Sequence, residues 1–235
     1  MNVGPPPPFG RSMADALRLT RGDLVATAAD GGGAKVKQFG AAYLPDTVAL
    51  PEVPADRTMA EPLIETFVCG RDGSVEPTGS DPALIDLWRP SVTGFAAIVF
   101  AALRGHDVPV ASTAYVTASF TPAAELAGIG HFDDDQYLPD AGVGVVAIVG
   151  SDSGSRVAVQ DLELGPAVAG MPLHADQAVF DAFTDGTIQH QRAAADQIIV
   201  FPQFGQLHSG PPFESSDSGT VRRLLVLRAD TDTGC

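Results

Sequence analysis

From residue 109 onward, apolar residues come in short runs rich in Val, Ile, Leu and Phe, set apart by clusters of Gly, Pro, Ser and Asp. Runs of this length, each bounded by turn-forming residues, predict β-strands over 110–120, 143–149, 156–160, 197–201 and 221–228. Gly150-Ser151-Asp152-Ser153-Gly154, between two of them, is a hairpin turn signal. Ahead of this region the period changes. Between Asp81 and Arg104, Leu84, Ile85, Leu87 and Trp88 fall on one helical face, with Asp81 able to cap the first turn and Pro82 suited to its first position. A helix is predicted there, broken or kinked at Pro90 and resuming at Val92. Gly31-Gly32-Gly33 marks a turn before a short strand at 35–39, and 45–54 is expected to be a loop. The strand spacing predicts a mainly β protein, a barrel or double-sheet jelly roll, with the helix packed outside. Residues 1–12 form a Pro-rich arm, 13–108 a helical and mixed region packed on the core, and 109–230 the core itself, in a single domain.

Composition narrows the function classes. A hydrophobic content of 45% over 235 residues is ample for a packed core. The 29 acidic against 14 basic residues leave a formal charge of −15, which repels phosphate backbones and disfavours nucleic acid as a partner. The densest basic stretch, Arg222, Arg223 and Arg228, lies within a predicted strand. Cys69 and Cys235 are the only cysteines, so neither a disulfide framework nor a Cys-based zinc site is expected. The start carries prolines where a signal peptide needs an apolar run, and Phe95–Leu103 is too short to span a bilayer. The expectation is a soluble, cytoplasmic protein with no membrane association.

The candidate chemistry lies in His131-Phe132-Asp133, His208 and Arg222-Arg223. In extended chain, positions i and i+2 share a face, so His131 and Asp133 can reach one ion while Phe132 turns away. His208 follows 77 positions later, room for several strands before the chain returns. Two imidazoles and one carboxylate occupy one face of an octahedral ion and leave the other open, a set suited to non-haem Fe(II) and oxygen. A guanidinium downstream suits an acid co-substrate, because it grips a carboxylate with two parallel hydrogen bonds. A rival copy, His174-Ala175-Asp176, leaves space for few strands before His208 and reads as a loop or supporting pair. His106 and His190 lack a carboxylate at the required offset. Asp134 and Asp135 read as a solvated loop, and 171–187 could serve as a lid.

Ala195-Asp196-Gln197-Ile198-Ile199-Val200-Phe201 through His208, then Arg222-Arg223-Leu224-Leu225, together with His131-Phe132-Asp133, resembles the Fe(II)/2-oxoglutarate-dependent dioxygenases. The match covers about 110–230. It implies a double-stranded β-helix, cupin-like core, with Fe(II) held by His131, Asp133 and His208. It also implies that Arg222, 14 positions after His208, binds the far carboxylate of 2-oxoglutarate. Adjacent Arg223 stays open for that role, and Tyr115 could touch the co-substrate. The implied reaction uses O2 to hydroxylate a small molecule, such as an amino acid or secondary metabolite, with succinate and CO2 as co-products. Two features depart from the pattern or branch. Many members have Ser or Thr two residues after the Arg, where this chain has Leu224 or Leu225. Arg222 and Arg228 resemble the spacing of a nucleobase-demethylating branch, whose substrate the acidic balance disfavours. The alternative is a cupin-like metalloenzyme, an isomerase or other dioxygenase, that keeps the three ligands and uses no 2-oxoglutarate.

Overall fold

The computed structural model describes residues 34–36, 41–55, 61–106, 108, 110–122, 144–151, 155–158, 162–164, 190–203, 206–210 and 221–230. In chain order the elements are β1 (Ala34–Val36), β2 (Ala42–Thr47), β3 (Leu63–Gly70), β4 (Val75–Pro77), helix α1 (Pro82–Gly105), β5 (Thr113–Pro122), β6 (Gly144–Gly150) and β7 (Arg156–Ala158). They continue with β8 (Leu162–Leu164), β9 (His190–Arg192), β10 (Gln197–Pro202), β11 (His208–Ser209) and β12 (Val221–Asp230). Seven strands form one antiparallel sheet in the order β2-β10-β6-β12-β5-β3-β4. A three-stranded sheet runs β11-β7-β9, and β1 pairs with β8.

The chain crosses between the two larger sheets as it proceeds. β5 and β6 lie in the large sheet, β7 and β9 in the small one, β10 in the large, β11 in the small and β12 in the large. That alternation is the double-stranded β-helix, and the fold is mainly β with one helix among the described residues. All five strands predicted after residue 109 are present, within a few residues of their expected ends.

Alternation along β12 sorts the interior. Leu225, Leu227 and Ala229 join the buried cluster beneath α1, while Val226 packs with Val146, Ile199, Phe201 and Val157 on the opposite face. The large sheet thus has an outer face under the helix and an inner face against the small sheet. α1 presents Trp88, Val92, Phe95, Val99 and Leu103 to the outer face, at the three- and four-residue spacing of a helix stripe. Trp88 lies against Phe120 with ring centroids 4.7 Å apart. Full burial of each such side chain contributes roughly 1.5–3 kcal/mol. By length and mean hydropathy, 1.3 over its best window, α1 could cross a membrane, but half of that window is buried inside this fold.

Two expectations are corrected. The helix is continuous through Pro90, which sits on its exposed side, where the carbonyl left without a donor faces water. The loop expected over 45–54 begins instead inside β2, which includes Pro45 and Asp46. β2 is an edge strand, and proline's missing N–H is tolerated there. β3 and β4 had no counterpart in the sequence reading. Glu65 interrupts the apolar pattern of β3, yet it is buried and its Oε1 accepts from Asp81 N at 3.3 Å. The β3–β4 turn uses Gly73 at φ 89°, and Asp72 Oδ1 accepts from Ser74 N at 3.0 Å. Through these strands the region ahead of residue 109 extends the same sheet as the later strands.

Asp81 caps α1 by accepting from Ala83 N at 3.0 Å and Leu84 N at 3.3 Å. Asp81→Ala is expected to lower stability by about 1 kcal/mol, read from urea unfolding midpoints. Burial pushes the Cys69 thiol, ordinarily near 9.0, up to about 11. The unfolded chain then releases this proton first, so the thiol's contribution is full below the ordinary value and is lost as pH rises toward the folded one. Unfolding midpoints should fall between about pH 8 and about pH 10.5, and the fall should shrink in Cys69→Ala.

Candidate functional site

β12 lies between β5 and β6, and its register decides what its two arginines do. Arg222 pairs with Thr121 and Arg223 with Phe120. Arg222 therefore belongs to the inner face with Leu224 and Val226, and Arg223 to the outer face with Leu225. Arg223 Nη1 meets Glu52 Oε1 at 2.6 Å and the carbonyls of Leu50 and Pro51 at 3.4 Å. It ties the segment after β2 to the sheet and points away from the interior.

Arg222 is only 5% exposed. Its Nη2 donates to Ser155 Oγ at 2.8 Å, immediately before β7. A Cβ built on Gly210, just after β11, would stand 3.3 Å from Arg222 Nη1, and one on Gly150 3.6 Å from Nε. The guanidinium thus reaches from the large sheet to the small one, through space left by two glycines. Burial keeps its field strong, since little water screens it.

His208 opens β11 opposite Val157 of β7 and, like Val157, faces inward. It is 6% exposed, and its ring lies 4.7 Å from that of Phe201 at 45°. Nδ1 is 3.0 Å from the Gln206 carbonyl oxygen. A carbonyl can only accept, so Nδ1 carries the proton and Nε2 of the neutral ring holds the lone pair. This is the arrangement a metal-binding imidazole requires, with the backbone fixing its tautomer. Gly210, beside the Arg222 guanidinium, is two residues along the strand from His208, about 7 Å. Imidazole and guanidinium therefore face the same space between the sheets, one from each wall.

Tyr115 pairs with Arg228 at the other end of β12 and is 56% exposed. Six residues separate Arg228 from Arg222, about 20 Å of strand, so Tyr115 does not stand beside Arg222. Its row instead runs through Arg228 and Val146 to Phe201, the residue stacked on His208. His131 and Asp133 lie outside the described residues, as do His174 and Asp176. Among the described residues no group of three or more His, Cys, Asp or Glu could hold a metal ion. His106 caps the end of α1, and His190 pairs with Ala158. On the far face of the small sheet Arg156 stands opposite Arg192, and burial, then the Arg192 charge, lowers its pKa. The sequence reading missed Ser155 and Gly210, which earn their place only as neighbours of Arg222.

No family model and no curated protein matches the chain. Among solved structures it is similar to EvdMO1, at 14% identity and TM-score 0.35, covering 90% of this chain and 50% of that one. It is also similar to the non-heme alpha ketoglutarate dependent carbocyclase SnoK from nogalamycin biosynthesis, at 12% identity and TM-score 0.38, covering 92% and 86%. A third is OsALKBH1, at 10% identity and TM-score 0.31, covering 88% and 90%. At such scores the likeness decides neither fold nor function, which rest on this chain's own strand order and side chains.

The half-exposed Arg223–Glu52 pair should matter little. Arg223→Ala is expected to cost at most about 1 kcal/mol in urea unfolding, with a smaller effect in high salt.

Proposed function

We propose that this chain is an Fe(II)- and 2-oxoglutarate-dependent oxygenase that hydroxylates a small molecule and forms succinate and CO2. One observation carries the reading: a buried guanidinium on the large sheet and an imidazole with a backbone-fixed tautomer on the small one both face the space between the sheets of a double-stranded β-helix. The residues present fit the iron in donor chemistry. His208 offers Nε2, and in this reading His131 and Asp133 complete the ligand set. Bound there, the iron would supply the activation of O2.

The remaining work falls to the chain. Arg222 anchors the far carboxylate of the co-substrate, and Ser155 holds the guanidinium in one orientation. Charge neutralisation is strong because the guanidinium is buried. Val226, Ile148 and Ile199 floor the inner face and exclude water, which protects a reactive centre from side reactions. The Gln206 carbonyl fixes the proton of the neutral His208 ring on Nδ1, which leaves the Nε2 lone pair for the metal. An acidic surface and an interior site suit a small molecule over a nucleic acid.

Calorimetry on protein loaded with Mn(II), a redox-silent stand-in, tests the assignment. Arg222→Ala should weaken 2-oxoglutarate binding by about a hundredfold or more, as expected for losing a bidentate charged contact, while Arg223→Ala leaves it unchanged. His208→Ala should abolish tight metal binding. If the native protein binds metal but no 2-oxoglutarate, the cupin-like metalloenzyme reading replaces this one. Succinate release dependent on Fe(II) would support the oxygenase.

A further inference from the structure

At the His208 end of the large sheet, two side chains carry buried polar atoms with no hydrogen-bond partner among the described residues: both amide atoms of Gln203 and Oδ1 of Asp230. Gln203 is 1% exposed. Buried side-chain amides are nearly always bonded within a folded protein, so an orphan pair on one face needs a cause.

Both groups point the same way. Gln203 lies two residues beyond Phe201, and its N–H donates to Gly144 O at 2.8 Å. Gly144 lies two residues before Val146 and pairs with Asp230, which lies four residues beyond Val226. Phe201, Val146 and Val226 all face the interior, so Gln203, Gly144 and Asp230 do too. A Cβ on Gly144 would collide with Gln203 Oε1, so the amide lies over the space a side chain at 144 would fill. Strands are spaced by about 4.8 Å, which puts the backbones of Gln203 and Asp230 roughly 10 Å apart, one on each side of Gly144. Phe201, stacked on His208, is the next inward residue before Gln203.

The geometry points to a substrate subsite formed by Gln203 and Asp230 over Gly144, which takes an alcohol hydroxyl or a protonated amine of the molecule being oxidised. Chemistry limits the occupant. A carboxylate only accepts, whereas a glutamine amide offers one acceptor and two donors. A group that satisfies both must bring a proton to Asp230. A hydroxyl can also accept from Gln203 Nε2, and an ammonium can also donate to Oε1. The subsite holds that group beside the candidate metal end and so fixes which carbon is presented. As a substrate subsite it rests on the oxygenase reading above.

The test uses full-length protein with glutamine side chains labelled with nitrogen-15, the Gln203 resonance being assigned by its absence in Gln203→Leu. Glycerol supplies the hydroxyl and ethylammonium chloride the amine. A saturable shift of the Gln203 amide in the millimolar range supports the subsite, and Asp230→Asn identifies the source: the shift is lost for ethylammonium, which needs the carboxylate charge, and kept for glycerol, whose hydroxyl can still donate to the asparagine amide oxygen. Gln203→Leu should melt several degrees higher than the native protein, because it removes an unsatisfied group without leaving a void. A lower melting temperature would make Gln203 a structural cross-link and overturn the proposal. So would the absence of any shift with either probe. Calorimetry with 2-oxoglutarate on the same samples separates the two ideas: a responsive Gln203 without co-substrate binding would keep the ligand site and reject the oxygenase.

Discussion

The register of β12 is the constraint on which the rest depends. Held between β5 and β6 by paired backbone bonds along its length, the strand has two faces with opposed tasks. One carries Leu225, Leu227 and Ala229 into the core beneath α1, and the other carries Arg222 and Val226 into the space between the sheets. A slip of one residue would exchange every side chain between faces. It would bury Arg223 inside and send Arg222 toward Glu52. The apolar run forbids the slip, because the helix must lie on aliphatic side chains. The position of one interior charge is therefore enforced by hydrophobic packing several residues away.

That charge is stabilised locally as well as placed. A buried guanidinium needs hydrogen-bond acceptors, and Ser155 supplies one from the opposite sheet. The same contact joins the two sheets near Gly210, so fold and site share a cross-link. His208 is controlled by a similar economy: its tautomer is set by the carbonyl of Gln206, two residues earlier, and its ring plane by Phe201. Both side chains are thus held in one orientation by their neighbours. Small displacements of β7 or β11 would therefore reach the guanidinium and the imidazole together.

The inner face also has a graded character. Arg222 lies at one end, aliphatic side chains fill the middle, and Arg228, Tyr115, Gln203 and Asp230 lie toward the other. In the proposed reading, an anionic co-substrate and a polar substrate are held at separate ends of this face.

The strands after residue 109 were legible in the sequence because aliphatic runs between Gly- and Ser-rich turns have few other solutions. The helix was legible from its cap and its stripe. β2 and β3 were not, because Pro45, Asp46 and Glu65 break the apolar pattern, and each is tolerated for a tertiary reason: an edge position for the first two, a bond to Asp81 N for the third. β4, Val75-Glu76-Pro77, is too short to show a period. At the site, the sequence by itself determined which residue types were available: His208, two adjacent arginines and a glutamine near the end of a strand. Only the tertiary structure decided that Arg222 faces in and Arg223 out, that Ser155 meets the guanidinium, and that Gln203 is buried without a partner. Side-chain chemistry is written locally, whereas a strand's inward face is defined by the sheet packed against it.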